Sequence, residues 1–162
     1  MSGIISGAGS KSGVIGTTEL DYEEGTYIPT IVGSGSPAGS MTCSTDKSLG
    51  YTKIGNRVHV SGKLTPTTNN SIRSTILFSL PFTAGTAGDG NSASSTGHAI
   101  LRSGGVSGIQ QNQSVQISPG GTNFYIMYLN DNGDSDNIGG TTATLPVDSS
   151  WNLWLAFSYQ TV

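Results

Sequence analysis

The segment Gly50–Leu64, with the sequence GYTKIGNRVHVSGKL, constrains the fold more than any other part of the chain. Two strand-like runs, Tyr51–Ile54 and Arg57–Leu64, flank the dipeptide Gly55-Asn56. Glycine and asparagine suit the positive-φ positions of a two-residue turn, so the sequence predicts an antiparallel hairpin. In the second run apolar residues or glycine alternate with polar residues, which is the period of a strand with one buried face. The residues predicted to face the core are Val58, Val60, Gly62 and Leu64.

Further runs with strand character are separated by stretches rich in glycine and other turn residues. Glycine contributes 24 of the 162 residues and charged residues only 10%, a composition that excludes a bundle of long helices. Short strands with glycine-rich connections predict an all-β fold, an antiparallel β-sandwich of the jelly-roll type. The predicted strands are Thr26–Val32, Ser74–Phe82, His98–Arg102, Ser114–Ser118, Asn123–Leu129 and Leu153–Thr161.

Residues 1–18, MSGIISGAGSKSGVIGTT, differ in character from the rest of the chain. Glycine and serine dominate, and the aliphatic residues follow neither a helical nor a strand period. Ordering such a segment costs much conformational entropy, so the sequence predicts an extended N-terminal arm followed by a single β-sandwich domain over residues 19–162. The aliphatic side chains could dock on a neighbouring protein; a tail without a role is the alternative. The candidate docking residues are Ile4, Ile5, Val14 and Ile15.

Charge and cysteine content exclude several partners. The formal net charge of −3 provides no basic field for nucleic acid and no polybasic segment for a membrane surface. No apolar run reaches the roughly 18 residues that a membrane helix needs, and the N-terminus lacks the features of a signal peptide, so we expect assembly in a host cytoplasm. Cys43 is the only cysteine, which excludes an intrachain disulfide and a zinc site made of thiolates.

Motifs that carry chemistry are weak. Gly7–Gly13 has Lys-Ser but lacks the glycine before the lysine that a phosphate loop requires, so a flexible arm is favoured over nucleotide binding. The acidic stretch Asn130–Asn137 offers oxygen ligands at close spacing, but it departs from an EF-hand and is typical of a hairpin loop; a calcium site remains the alternative. His59 and His98 lie within strand-like runs and outside any nucleophile motif. We therefore predict no catalytic, cofactor-binding or metal-binding residues and no enzymatic activity.

The last predicted strand is apolar on both faces. Leu153, Leu155 and Phe157 share one face, whereas Trp154 lies on the other. Such a strand is expected to be covered on both sides, and aromatic side chains of this kind usually belong to a core or a subunit interface, although they can also stack on sugars. The candidate interface or glycan-facing aromatics are Trp151, Trp154 and Tyr128.

Three elements in a fixed order resemble a module of tailed-bacteriophage virions. They are LDYEEGTYIPT at residues 20–30, YTKIGNRV at residues 51–58 and LPFT at residues 80–83. Similar elements occur in this order in head decoration or cement proteins, capsid fibres and tail-fibre tips. The resemblance is close over residues 20–83 and loose beyond them. It implies a β-sandwich on the virion surface, commonly a homotrimer, and carries over no catalytic residue.

Two placements on the virion follow from this resemblance. In the favoured one, the protein is a capsid decoration or cement protein whose arm binds the major capsid protein and whose domain projects from the shell, next to another fibre or decoration protein. In the alternative, it is the tip of a tail or head fibre, a receptor-binding adhesin that recognises a host-surface glycan. A polysaccharide-cleaving enzyme is a third class, and it would require a carboxylate pair in a groove.

Overall fold

The computed structural model describes residues 21–43, 45–70, 72, 74–86, 96–102, 113–129, 135–137 and 152–161. All regular elements within these residues are β-strands. The described part of the chain contains no helix long and apolar enough to cross a membrane. The strands are β1 (Tyr22–Tyr27), β2 (Ile31–Gly33), β3 (Ser40–Cys43), β4 (Leu49–Ile54), β5 (Arg57–Leu64), β6 (Pro66–Asn70), β7 (Ile76–Ser79), β8 (Thr96–Arg102), β9 (Gln113–Ile117), β10 (Asn123–Leu129), β11 (Ser135–Asn137) and β12 (Asn152–Gln160).

The strands form one antiparallel sheet that curls into a half-barrel. Eleven of them follow the order β1-β4-β5-β12-β8-β9-β10-β7-β2-β3-β6, and β11 pairs with β10 beside this path. Only Thr65 separates β5 from β6, although the two strands lie far apart in the order. The chain therefore bends at Thr65 and passes directly from one region of the sheet to its opposite edge, as strands do at the corners of packed sheets.

The inner face of the curled sheet forms the core. Along β12 every second residue is buried, and Leu153, Phe157 and Tyr159 are at most 1% exposed. The ring of Phe124 in β10 lies 5.0 Å from that of Phe78 in β7 and 4.8 Å from that of Phe157. Because these rings come from three strands that are distant in sequence, their burial holds the curl together.

The predicted hairpin is confirmed. β4 and β5 pair in antiparallel register around Gly55, whose φ of 57° is the left-handed conformation that the turn requires. Val58, Val60 and Leu64 are fully buried, as predicted. Gly62 has a φ of 147°, and a Cβ there would lie 2.9 Å from a side-chain methyl carbon of Leu49. Gly62 is exposed rather than buried, so this part of the prediction is wrong, and its positive φ, which L side chains rarely adopt, is what favours glycine there.

A strap formed by residues 80–85 carries the LPF element across the end of the sheet. Ala84 forms an isolated bridge with Thr161, and the backbone N–H of Gly85 donates to the carbonyl of Gln160 at 2.8 Å. The Tyr159 hydroxyl donates to the Phe82 carbonyl at 3.0 Å and lies 3.2 Å from the Phe82 amide nitrogen, from which it accepts. These contacts anchor the strap to the last residues of the described chain.

The prediction of one continuous first strand is wrong. The run Thr26–Val32 is divided between β1 and β2, and the acidic residues expected before the strand belong to β1. Pro29 lies in the break, where it cannot donate a ladder hydrogen bond, and the chain there crosses from one end of the sheet order towards the other. Strands β3, β6 and β11 were not expected, because their sequences are short and lack apolar alternation.

The other predicted strands are found with shifts at their ends. β10 matches its predicted bounds, whereas β7 is shorter than predicted because the LPF element leaves the sheet. The all-β antiparallel class is confirmed, and the strands form one curled sheet. The jelly-roll arrangement and the division into an arm and one domain stay predictions, and residues 1–18 lie outside the described part.

Candidate functional site

The outer face of β1, β4, β5 and β12 carries a row of polar side chains. The sheet register places Glu24 beside Thr52, Thr52 beside His59, and His59 beside Ser158. Because successive residues of a strand point to opposite faces, these four side chains share the face opposite the buried Val58 and Val60. Four strands thus contribute one polar residue each to a continuous surface.

A shallow depression of about 400 Å³ lies on this face, and we call it the outer-face depression. Its floor includes Gly50, which is paired with Thr26 on one side and Ser61 on the other. A Cβ built on Gly50 would make only ordinary van der Waals contact, its nearest neighbour being the Ser61 carbonyl oxygen at 3.7 Å, so the site has room for a side chain. The missing side chain therefore creates the depression between two hydroxyl-bearing neighbours. Its lining residues are Glu24, Gly25, Thr26, Gly50, Tyr51, Thr52, His59 and Ser61.

The polar groups at the depression are suited to hydrogen bonding with a hydroxylated ligand. Nδ1 of His59 lies 3.0 Å from the Ser158 Oγ, and Oε2 of Glu24 accepts a hydrogen bond from the Tyr22 hydroxyl at 2.5 Å. This hydrogen bond, more than the accompanying desolvation and the negative charge of the carboxylate, raises the pKa of Tyr22 above its ordinary value. The tyrosine hydroxyl consequently remains a donor that orients the carboxylate.

The His59–Ser158 pair lacks the surroundings of a catalytic dyad. A nucleophilic serine needs a base that a third group orients. Among the described residues, no carboxylate is hydrogen-bonded to His59, and no group of three or more His, Cys, Asp or Glu side chains is placed to hold a metal ion. Within the described part of the chain, the His59–Ser158 pair thus lacks the orienting group that such a mechanism uses.

An aromatic corner adjoins the depression further along β12. The Lys63 Nζ lies 5.5 Å from the ring centroid of Trp154 and 2.8 Å from Oδ2 of Asp46. Hydrogen bonds from Lys63 and Thr65 lower the pKa of Asp46. Trp154 is half-buried, and its neighbour Ile100 in β8 is 57% exposed. We call Trp154, Lys63 and Ile100 the Trp154 corner.

A second depression, which we call the apolar groove, lies where β1 ends. It has a volume of about 480 Å³, and Ile28 beside it is 62% exposed. Cys43 is half-buried, and burial raises the pKa of its thiol to about 11. The groove is lined by Ile28, Pro29, Thr30, Ile31, Val32, Ser40, Met41, Thr42, Cys43 and Lys47.

The predicted site residues are only partly described. Trp154 faces outwards, as its position opposite Leu153 and Leu155 predicted. The backbone of Tyr128 belongs to β10. Outside the described residues lie Trp151, the arm residues Ile4, Ile5, Val14 and Ile15, the phosphate-loop candidate 7–13 and residues 130–134 of the acidic stretch.

Residues 135–137 of the acidic stretch form β11 rather than loop, because they pair with β10. His59 and His98 both lie on exposed outward positions of β5 and β8. Sequence reasoning missed Glu24, Gly50 and Thr52 as site residues. The outward alternation of β5 was visible, but the strands beside it and their registers were not.

The comparisons with known proteins give one likeness of fold. No protein-family model matches the sequence, and no curated protein matches it either. The structure is similar to part of the crystal structure of the Dettilon tailspike protein (gp208), with a TM-score of 0.54 and 11% sequence identity over 86% of this chain. The chain spans 24% of the length of that protein.

Proposed function

We propose that the protein is a structural component of a tailed-bacteriophage virion and that its curled sheet is an attachment module of a tail or head fibre or spike. The likeness of fold to a tailspike protein over 86% of the chain carries this proposal. The ordered elements at residues 20–30, 51–58 and 80–83 support it independently, because they are features of the sequence and not of the fold. The location is the virion surface.

We assign the outer-face depression and the Trp154 corner to the binding of a host-surface glycan. Sugars offer many hydroxyl groups, and Thr26, Thr52 and Ser61 offer matching donors and acceptors around an open floor. Trp154 provides an amphipathic ring at one end of this surface. Glu24 is the one carboxylate among the described residues that line the depression, whereas glycoside hydrolysis generally uses a pair of carboxyl groups. We therefore assign the depression to glycan binding and not to cleavage.

The test is binding of the purified protein to host cells and to isolated host surface polysaccharide. Gly50→Val fills the depression and Trp154→Ala removes the ring, so each is expected to weaken binding about tenfold, or about 1.4 kcal/mol. Gln116→Ala, an exposed change on β9, is the control and should bind like the parent protein. Absence of binding by the parent protein, or equal binding by all three variants, would contradict the proposal. Release of sugar fragments would show a cleaving enzyme instead.

Capsid decoration is the second candidate function, and the composition of the arm favours it. In this proposal, residues 1–18 attach a homotrimer to the major capsid protein through Ile4, Ile5, Val14 and Ile15. Deletion of residues 1–18 should abolish binding to purified capsids while the circular dichroism of the sheet is unchanged. Undiminished capsid binding would refute decoration through the arm. The trimer would be refuted if the free protein sedimented as a monomer and single copies were also found at its binding positions on the capsid.

A further inference from the structure

We infer that the apolar groove is the binding site for the arm of the same chain, with the pair Ile4-Ile5 inside it. This inference concerns a contact within the protein and goes beyond the proposed attachment function. It is based on the chemistry of the groove, on its distance from the start of the described chain, and on the charges along the path between them.

The groove has the chemistry that an aliphatic pair requires. Ile28 is one of four large hydrophobic residues that are exposed in the described part of the chain, and it is the most exposed of them. Met41 and half-buried Cys43 continue the apolar surface inwards. Covering such a surface with two isoleucine side chains removes apolar area from water on both partners.

The reach of the arm selects the pair. β1 has six residues and rises about 20 Å from its start to the groove at about 3.3 Å per residue. Asp21 follows Ile15 by six positions, which spans the same distance only when fully extended and leaves no residues for the reversal of direction. Asp21 follows Ile5 by 16 positions, enough to span the length of β1 and include a turn. Ile4-Ile5 is therefore the pair that reaches the groove.

Charge along this path favours the same arrangement. Lys11 is the one charged side chain in residues 1–18. β1 ends the order of the described strands and carries Glu23 and Glu24, neither of which forms an ion pair within the described residues. These two carboxylates point to opposite faces of β1. Lys11 follows Ile5 by six positions, so an arm lying along β1 brings it near one of them.

The native cysteine makes a direct test possible. Because Cys43 is the only cysteine, a second one introduced in the arm can form only one intrachain disulfide. Ile5→Cys and Ser10→Cys are compared under oxidation with copper phenanthroline, and the cross-link is read on non-reducing gels and by mass spectrometry of the joined peptides. A disulfide needs Cα atoms within about 7 Å, so binding in the groove should make Ile5→Cys react at least about tenfold faster. Cys43→Ser in the Ile5→Cys protein is the blank.

A freely moving arm predicts the opposite order, because Ser10 is closer to the domain in sequence. Equal rates, or a faster Ser10→Cys, would overturn the inference. Cross-linked dimers whose yield rises with protein concentration would place the arm on a second copy and would overturn it too. These outcomes do not depend on whether the protein binds a glycan, so failure of this inference is distinguishable from failure of the proposed attachment function.

A second measurement avoids introduced cysteines. Lys11 is the first trypsin site in the sequence, and the next is Lys47. The double variant Ile4→Asp, Ile5→Asp should be cut after Lys11 about tenfold faster than the parent protein, with Ser2→Asp, Ser6→Asp as the matched control at the parent rate. Equal cleavage of all three proteins would contradict binding in the groove.

Discussion

Substitution of two tyrosines on the inner face can test whether specific hydrogen bonds hold the strap at residues 80–85. The hydroxyl of Tyr159 bonds both the carbonyl and the amide of Phe82, at 3.0 and 3.2 Å. The hydroxyl of Tyr27 is buried and has no hydrogen-bond partner among the residues that the structure describes. Replacing either residue by phenylalanine deletes the same atom, so the two variants differ only in what that atom contacts.

The expected effects have different magnitudes. Each hydrogen bond contributes about 1 kcal/mol net, so Tyr159→Phe should lower the free energy of unfolding by about 2 kcal/mol, and by more if the Phe82 groups stay unsatisfied. Tyr27→Phe removes a buried polar atom without a partner and should leave the stability unchanged or raise it by up to about 1 kcal/mol.

Urea unfolding followed by tryptophan fluorescence measures this difference at one protein concentration. With a slope of about 2 kcal/mol per molar urea, Tyr159→Phe should shift the midpoint down by about 1 M, and Tyr27→Phe should not shift it down. Equal midpoints for the two variants, or a lower midpoint for Tyr27→Phe, would refute the assignment of the Tyr159 hydroxyl as the anchor of the strap.

Three further predictions concern packing, reactivity and acid stability. A Cβ at Gly97 would lie 2.2 Å from that of Phe157, so Gly97→Ala should lower the free energy of unfolding by denaturant by about 3 kcal/mol. Gly50→Ala should change it by less than about 1 kcal/mol. Equal effects of the two substitutions would contradict the packing of β8 on β12. Because the pKa of Cys43 is raised from 9.0 to about 11, its thiol should react with Ellman's reagent at pH 8 about 100-fold more slowly than a free cysteine. A rate equal to that of free cysteine would count against burial of the Cys43 thiol. The pKa of Asp46 is lowered below 3.8, so the stability that its carboxylate contributes is present above that pH and is lost as the pH falls through the lowered value. The difference in melting temperature between the parent protein and Asp46→Asn should therefore vanish in acid. A difference that does not depend on pH would be inconsistent with the ion pair.

Features encoded locally could be predicted from the sequence. The β4–β5 hairpin follows from a turn dipeptide and an alternating run, and β12 follows from the alternation of Leu153, Leu155 and Phe157 with less buried residues. In both places the local pattern and the buried face agree, because residues that are neighbours in sequence determine which face is apolar.

Features that depend on long-range pairing could not be predicted. The run Thr26–Val32 has strand character throughout, yet its two halves pair with strands in different regions of the sheet. The outer-face depression combines Glu24, Gly50 and His59, and it depends on the absence of a side chain at one position of β4. No local motif marks such a site, because it arises from the register of three strands.

The central place of β12 has a consequence for synthesis of the protein. This strand is the last of the described strands in the chain, yet it lies between β5 and β8 and pairs with both. During translation, β5 therefore emerges from the ribosome long before its partner, with Val58 and Val60 unable to complete their core. Until β12 arrives, the two flanking strands expose open edges and apolar faces, a state prone to aggregation. The sheet can close only once translation has passed Gln160, so we expect production of soluble protein to be sensitive to translation rate and to chaperones that shield nascent chains.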